Sequence, residues 1–301
     1  MGDTRQETIE AIEREFAEFA GTAGVAARRL DTGEEIRVNA DAATATASTI
    51  KVPILIELFR QIEAGQHRLD DRLAVSEATM APGSGILREL SLGVELSLRD
   101  LATLMIVVSD NTATNMLIDL VGMERVNATM SALGFPHTQL RRRLDFPAIG
   151  HDARNLAVTT PADLAGIMTA LATDAILTPT NCAAILDIMR RQHYVDLAPR
   201  YLPYFPYGPE LGYPDNGLRI ANKTGGWRGM RADMALIEWP RADGGVTRYA
   251  IGISTEGDPD TRFWAENAGD RLIGRVSRLI FDRFGGGELD AATATAAVET
   301  D

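Results

Sequence analysis

The feature that most constrains the fold is an apolar run that follows Ser48. Large apolar side chains recur within a few residues of one another, at Ile54, Leu55, Ile56, Leu58, Phe59 and Ile62. They would cover most of the circumference of a helix, so a helix here must be buried on nearly all sides. A chain of 301 residues with 45% hydrophobic content can surround it. The sequence thus predicts a buried helix within one large globular unit or two coupled domains.

Ser48 and Lys51 lie one turn apart at the start of this helix. A lysine along a buried helix is stripped of water, which lowers its pKa and frees a lone pair to accept the serine proton. Ser48 is therefore a candidate nucleophile with its own base. The N–H groups and positive dipole end of a helix start suit an anionic intermediate. The alternative is a serine that caps the helix, followed by a lysine on the surface.

The remaining patterns predict one α/β layer built from both ends of the chain, with a helical subdomain between them. Capping signals at Ser97, Asn111, Thr160 and Thr178 indicate the helix starts of that subdomain. In the α/β layer we expect helices over 4–20 and 263–284, and strands over 24–30, 35–38, 220–224, 233–239 and 249–255. The expected boundaries are 1–45 plus 218–285 for the α/β subdomain, 46–217 for the helical subdomain and 286–301 for a disordered tail.

Composition excludes several classes of partner and cofactor. The net charge of −12 argues against a nucleic-acid or anionic-membrane surface, and no window is long enough to span a membrane. Cys182 is the single cysteine, and residues 1–7 lack the features of a secretion signal, so we expect a cytoplasmic protein. No phosphate-binding glycine loop is present, and we expect no metal or cofactor, because the histidines lack ligand spacing: His67, His137, His151 and His193.

Two residue triplets, together with Ser48 and Lys51, give the sequence a specific resemblance to a known protein family. Ser109-Asp110-Asn111 follows an apolar helix, and Lys223-Thr224-Gly225 opens the late strands. With Ser48-x-x-Lys51 ahead of them, the motifs and their order resemble the serine β-lactamases and penicillin-binding proteins, nearest to class A, over residues 5–285. The resemblance implies an α+β fold in which an antiparallel sheet is flanked by N- and C-terminal helices and an all-helical subdomain is inserted.

The resemblance also implies catalytic roles. Ser48 would attack an amide or ester carbonyl, and Lys51 would accept or relay its proton. Ser109 would pass a proton to the leaving nitrogen. Lys223 would set the local potential, although taken singly it fits an exposed strand lysine. The backbone N–H groups of Ser48 and Gly226 would form the oxyanion hole.

Further residues are implied to bind the substrate. Asn111 would hydrogen-bond a side-chain amide of the substrate, although taken singly it fits a helix cap. Thr224, followed by Gly225 in its triplet, would bind the substrate carboxylate. Ser84, within the stretch 82–86, would line the opposite wall of the pocket. Arg231 follows the oxyanion strand and is assigned either to a substrate carboxylate or to the surface.

The chain departs from class A where deacylation is concerned. Class A members use a glutamate in the loop after the second triplet to activate water, and the matching place, 36 residues after Ser109, holds Asp145. An aspartate is one methylene shorter, and a misplacement of about 1 Å costs on the order of a hundredfold in rate. Asp145 is therefore assigned either to the base or to an ion pair with a neighbouring arginine.

A second departure is the insert over 192–219, whose aromatic residues either roof the pocket or pack as a surface cover. Together these features predict a serine hydrolase that cleaves a small-molecule amide, lactam or ester through an acyl-enzyme at Ser48. Weak or no activity on classical β-lactams is expected. The alternatives are a true β-lactamase or D,D-peptidase, and a penicillin-binding sensor module without turnover. The oligomeric state stays open.

Overall fold

A computed structural model describes residues 4–289 of the chain. In chain order, its helices and strands are α1 (Thr4–Glu18), β1 (Thr22–Arg29), β2 (Glu35–Val38), β3 (Thr44–Ala45), α2 (Lys51–Glu63), β4 (Arg72–Ala74), β5 (Glu95–Ser97), α3 (Leu98–Val107), α4 (Asn111–Val121), α5 (Met123–Ala132), β6 (Gln139–Leu140), α6 (Phe146–Ile149), β7 (Ala157–Thr159), α7 (Pro161–Ala172), α8 (Pro179–Arg190), β8 (Arg219–Trp227), β9 (Met230–Pro240), β10 (Val246–Glu256) and α9 (Ala268–Arg283).

A five-stranded antiparallel sheet forms the base of the molecule, in the order β2-β1-β10-β9-β8. Alternate side chains of a strand point to opposite faces of the sheet. On β9, Ala235 and Ile237 pack with the terminal helices α1 and α9, whereas Met234 and Leu236 pack with the helical part of the chain. The predicted α+β fold, with an antiparallel sheet flanked by terminal helices, is confirmed.

Helix α2 lies at the centre of the helical part, as its apolar run predicts. Val52, Ile54 and Leu55 are fully buried, and α2 packs against α3, α4, α5 and α8. Pro53 lies in the first turn, where a missing N–H leaves no internal hydrogen bond unmade. A rigid, buried α2 gives Lys51, its first residue, a fixed position.

Local capping chemistry places several helix starts where the sequence predicts them. Ser97 and Asp100 form both arms of a capping box at α3, and the Thr160 hydroxyl accepts from the backbone N–H of Asp163 at α7. The last helix is different: α9 begins at Ala268, not at Phe263, because the Asn267 side chain accepts from the first backbone N–H groups of the helix. The prediction of a helix from residue 263 is therefore wrong.

The domain boundaries drawn from the sequence remain a prediction. Of the tail expected over 286–301, residues 286–289 are described, and Leu289 packs against the core between the sheet and the terminal helices. Residues 290–301 lie outside the described part. None of the described helices combines the length and the apolar character that crossing a bilayer requires.

Candidate active site

Ser48 lies in a 3-10 turn, Ala47–Ile50, that runs directly into α2. Ala47 has a φ of +42°, a strained value for a residue other than glycine, and Ser48 is partly exposed. Strand β8 approaches this turn closely. A Cβ atom on Gly225 would lie 2.5 Å from Thr46 O and 3.0 Å from Ser48 N. Glycine at this position therefore lets the backbone of β8 lie against the turn that carries the candidate nucleophile.

Lys51 is fully buried, which contradicts the surface alternative. Its Nζ donates hydrogen bonds to Ser109 O at 2.7 Å, Ser109 Oγ at 2.9 Å and Asn111 Oδ1 at 2.8 Å. Burial lowers the pKa of Lys51 well below its usual value, and the neighbouring charge of Lys223 lowers it further. Lys51 thus has the electrostatics of a base and is linked directly to Ser109.

The second triplet lies at the junction between α3 and α4, as predicted. Ser109 has a φ of +54°, another strained value. Asp110, rather than Asn111, caps α4: its carboxylate accepts from Ala113 N at 2.9 Å. The same carboxylate accepts from Ile86 N at 2.6 Å and Leu87 N at 2.9 Å, which fastens residues 82–87, called the rim segment below, to the junction.

The predicted opposite wall is formed by this rim segment. Ser84 Oγ donates to Ser109 O at 2.7 Å, and Asn111 Nδ2 donates to Pro82 O at 2.8 Å. Asn111 is nearly buried, so its side chain joins the rim to Lys51. The helix-cap alternative for Asn111 is therefore wrong.

Lys223 and Asp233 are fully buried charged residues on adjacent strands of the sheet. Lys223 Nζ donates to Thr224 O at 2.8 Å, so the exposed-lysine alternative is wrong. Burial lowers the pKa of Lys223, and the charge of Asp233 opposes that shift. Burial in turn raises the pKa of Asp233, which accepts hydrogen bonds from Ala198 N at 3.1 Å and Asn222 Nδ2 at 3.2 Å.

Ser48 lies where two cavities meet. We call them the Ser109 cavity, of about 510 Å³, and the Leu144 cavity, of about 660 Å³. Ser48, Ser84 and Gly226 line both of them. The Ser109 cavity also includes Ser109, Tyr194, Asp196, Thr224, Gly225, Arg231 and Asp270. The Leu144 cavity also includes Asn111, Leu144, Phe146, His151, Leu156, Trp227 and Arg228.

The structure thus brings most of the predicted site residues to one cleft. Lys51 and Lys223 lie buried behind its surface, as the contacts above show. Of the aromatic residues in the insert, Tyr194 lines the cleft, whereas Tyr204, Phe205 and Tyr213 line a separate cavity of about 800 Å³. The insert therefore contributes one aromatic wall residue to the cleft. The catalytic and binding roles of the site residues stay predictions.

Asp145 requires a correction. Its side chain accepts from Ala148 N at 3.2 Å and caps α6, and it is exposed, outside the residues that line either cavity. The ion-pair alternative is also wrong: among the described residues Arg143 pairs with Asp119 at 3.2 Å, and Arg141 and Arg142 donate to backbone carbonyls instead of to Asp145. Leu144, one position earlier, lines the Leu144 cavity together with Ser48, as do Phe146 and Pro147.

Arg231 requires a second correction. It is almost fully buried, so the surface alternative is wrong. Nε donates to Asp270 Oδ1 at 2.6 Å, and Nη1 and Nη2 donate to three backbone carbonyls at 2.8 Å each. The Phe263 ring covers the guanidinium at 4.3 Å. Arg231 therefore forms a structural ion pair with Asp270 in the wall of the Ser109 cavity, with most of its donors already used.

Sequence reasoning missed Asp110 and Asp233 as positioning residues. An aspartate in the middle of the apolar run that forms β9 is an available signal, because an ionisable residue is almost never buried without a partner. Among residues 4–289, no group of three or more His, Cys, Asp or Glu side chains is arranged to hold a metal ion.

Comparisons with known proteins agree with this geometry. A family model described as the beta-lactamase enzyme family matches residues 5–284. A beta-lactamase from Rhodobacter capsulatus is 29% identical over 188 residues, which cover 61% of this chain and 62% of that protein. The crystal structure of a beta-lactamase from Sphaerobacter thermophilus DSM 20745 superimposes with a TM-score of 0.78 at 31% identity, over 95% of this chain and 98% of that one.

A second solved structure, PBP-A, has a TM-score of 0.78 at 29% identity, over 94% of this chain and 96% of its own. A mutant of PBP-A, solved as an acyl-enzyme complex with penicillin G, has a TM-score of 0.76. The match of the family model over nearly the whole described chain is decisive. The chain belongs to the beta-lactamase enzyme family, whose members are serine hydrolases of class A type.

Proposed function

We propose that this protein is a serine hydrolase that forms an acyl-enzyme at Ser48 with amide or ester substrates and turns over classical β-lactams weakly or not at all. The weak turnover of β-lactams is proposed because of the position of Leu144. It lines the same cavity as Ser48, in the segment where class A members carry the carboxylate that activates water.

Acylation is supported by the contacts of Lys51 and Ser109. Ser48 Oγ attacks the carbonyl carbon and gives up its proton to Lys51, whose lowered pKa suits that transfer. The hydrogen bond between Lys51 Nζ and Ser109 Oγ provides a path for the proton to the leaving nitrogen as the C–N bond breaks. Backbone N–H groups of Ser48 and Gly226 would stabilise the oxyanion.

Weak deacylation is supported by the segment around Leu144. Asn115 fixes its backbone from both sides: Oδ1 accepts from Leu144 N at 2.9 Å, and Nδ2 donates to Leu144 O at 3.1 Å. Among the described residues, those that line the Leu144 cavity include no acid. An ester on Ser48 therefore has no carboxylate base in this cavity to activate water, and a general base typically contributes about 10²–10⁴ in rate.

PBP-A supports the same proposal, because an acyl-enzyme complex with penicillin G was obtained with a variant of that protein. We expect β-lactams to acylate Ser48 and to remain attached. A penicillin-binding sensor is the second candidate, and Leu144 favours it equally. It differs in that simple esters would also remain attached instead of being hydrolysed.

Mass spectrometry of the intact protein tests the proposal. Penicillin G should add its whole mass to the wild-type protein and not to Ser48→Ala, and the adduct should persist. Turnover of a p-nitrophenyl ester separates the hydrolase from the sensor. Rapid turnover of a chromogenic cephalosporin by the wild-type protein would contradict weak β-lactam activity. Labelling that survives Ser48→Ala would contradict the nucleophile.

Leu144→Glu tests the missing base. We expect the glutamate to shorten the lifetime of the penicilloyl adduct by about tenfold or more, since even a poorly placed base contributes part of the usual range. Leu144→Gln is the matched control, because an amide has the same size and cannot accept the proton. Equal adduct lifetimes in the two variants would show that the side chain at position 144 does not limit deacylation.

A further inference from the structure

The Leu144 cavity has mostly apolar walls and one arginine in its lining. Its walls include Leu144, Leu156, Phe146 and Trp227, and the last two rings meet edge to face with centroids 4.9 Å apart. The ionisable residues that line it are His151 and Arg228, whose side chains are in contact. An occupant of this cavity would therefore meet mostly apolar surface together with one arginine.

Arg228 is available to such an occupant. It is exposed, and its side chain contacts a ring nitrogen: Nη1 lies 3.3 Å from His151 Nδ1. Two carboxylates line a neighbouring cavity with Arg228: Glu256 pairs with Arg154, and Asp152 accepts from the backbone N–H of Arg154 at 2.8 Å. Within residues 4–289, no carboxylate forms an ion pair with Arg228.

The positions of Ser109 and Asn111 decide which half of the substrate reaches Arg228. Ser109, the proton donor to the leaving nitrogen in the proposed function, lines the Ser109 cavity and not the Leu144 cavity. The leaving group therefore occupies the Ser109 cavity. The acyl half, which stays on Ser48, extends past Asn111 into the Leu144 cavity.

We propose that the preferred substrates carry, on their acyl half, an apolar chain or ring that ends in a carboxylate. The apolar part packs against Phe146 and Trp227, and the distal carboxylate pairs with Arg228, whose planar fork matches two carboxylate oxygens. This inference rests on the proposed function, since it assumes that the acyl group is attached to Ser48. It adds the substrate class: monoamides or monoesters of dicarboxylic acids.

Matched penicillins test this substrate class. Glutaryl, adipoyl and pimeloyl amides of 6-aminopenicillanic acid are compared with the methyl esters of their distal carboxyl groups, which keep the shape and remove the charge. Opening of the β-lactam forms the bond from Ser48 Oγ to the acyl carbon, breaks the ring C–N bond and moves the serine proton to that nitrogen. Nothing leaves, so the protein gains the whole mass of the probe and the acylation rate is read directly.

For the chain length that fits best, the acid should acylate about fivefold faster than its methyl ester, as expected for a partly exposed ion pair. Arg228→Gln should bring this ratio close to one, and Arg228→Glu should invert it. The control is Arg191→Gln, because Arg191 is an exposed arginine directly after α8 that pairs with Asp187 and lines neither cavity. The ratio should be unchanged in that variant.

The outcomes separate the inference from the proposed function. Equal rates for acid and ester at all three lengths, or a preference for the acid that survives Arg228→Glu, would overturn the inference and leave the acyl-enzyme at Ser48 standing. If none of the probes adds mass to Ser48, the proposed function fails, and the inference fails with it.

Discussion

Gly225→Ala is the substitution that most directly tests how the site is positioned. The added Cβ would lie 2.5 Å from Thr46 O and 3.0 Å from Ser48 N, and both atoms belong to backbone that cannot rotate away. Ordinary contacts begin near 3.4 Å, so strand β8 and the turn of Ser48 must separate by about 0.9 Å. Displacements of about 1 Å typically cost on the order of a hundredfold in rate. We expect acylation of Ser48 by penicillin G to slow by about that factor.

Gly226→Ala is the matched control, one residue further along the same strand. A Cβ there would meet the Phe263 ring at 2.9 Å, and Phe263 is an exposed side chain that can move. The backbone N–H of residue 226 is kept, so we expect a loss of less than about tenfold, far below the hundredfold expected of a displaced site.

The assay is the second-order rate constant for acylation, followed by intact mass, with circular dichroism to establish that each variant is folded at the assay temperature. A folded Gly225→Ala protein that acylates within threefold of wild type would refute the reasoning, since the close approach of β8 would then have no bearing on reactivity. Equal losses in the two alanine variants would refute it as well.

Two further predictions concern buried charges near the cleft. Asp233→Asn removes the charge that raises the pKa of Lys223, so this pKa should fall further. If protonated Lys223 is the active form, the alkaline limb of the pH profile of acylation should move to lower pH. An alkaline limb that does not move would show that Asp233 does not set the pKa of Lys223. Arg231→Met leaves the buried Asp270 without its ion partner and should lower the free energy of unfolding in urea by about 3–5 kcal/mol, whereas a cost below about 1 kcal/mol would contradict a structural ion pair.

The parts of the fold that are predictable from sequence depend on local chemistry. The capping box at Ser97 and the threonine cap at Thr160 are each complete within four residues, and both helices start there. The apolar run after Lys51 likewise predicts a buried helix. The start of α9 is harder to predict, because Phe263 extends the apolar pattern ahead of the helix, whereas the signal that sets the start is a single capping residue, Asn267.

The site contacts that could not be predicted join residues that are distant in sequence. Arg231 and Asp270 lie 39 residues apart, and Arg228 and His151 lie 77 residues apart. No local sequence pattern predicts that Arg231 is buried in an ion pair while Arg228, in the same strand hairpin, is exposed. That difference follows from side-chain direction in strand β9 and the turn before it, together with the loop that places Phe263 over Arg231.

The error at Asp145 is instructive because it is a shift of one residue. Counting along a loop locates a segment, but loops tolerate insertions, so the count does not decide which neighbouring side chain faces the cleft. In the structure, the Asn115 side chain hydrogen-bonds both the N–H and the carbonyl of Leu144 and so fixes the backbone of this segment. The Asp145 side chain then caps α6 and does not line the cleft. Asn115 lies one helical turn after Asn111, so one helix α4 positions both a substrate-binding candidate and the wall opposite Ser48.

This arrangement gives acylation and deacylation different structural supports. The acylation groups lie on buried elements that are tied together: Lys51 binds Ser109 and Asn111, and β8 lies against the turn of Ser48. In the proposed function, deacylation is limited by one side chain, that of Leu144, whose backbone is held by Asn115. We therefore expect a substitution at position 144 to change the lifetime of the acyl-enzyme more than its rate of formation. In a protein with this wall, the substrates that turn over are those whose acyl esters hydrolyse without a carboxylate base, which is why simple esters and β-lactams are expected to behave differently.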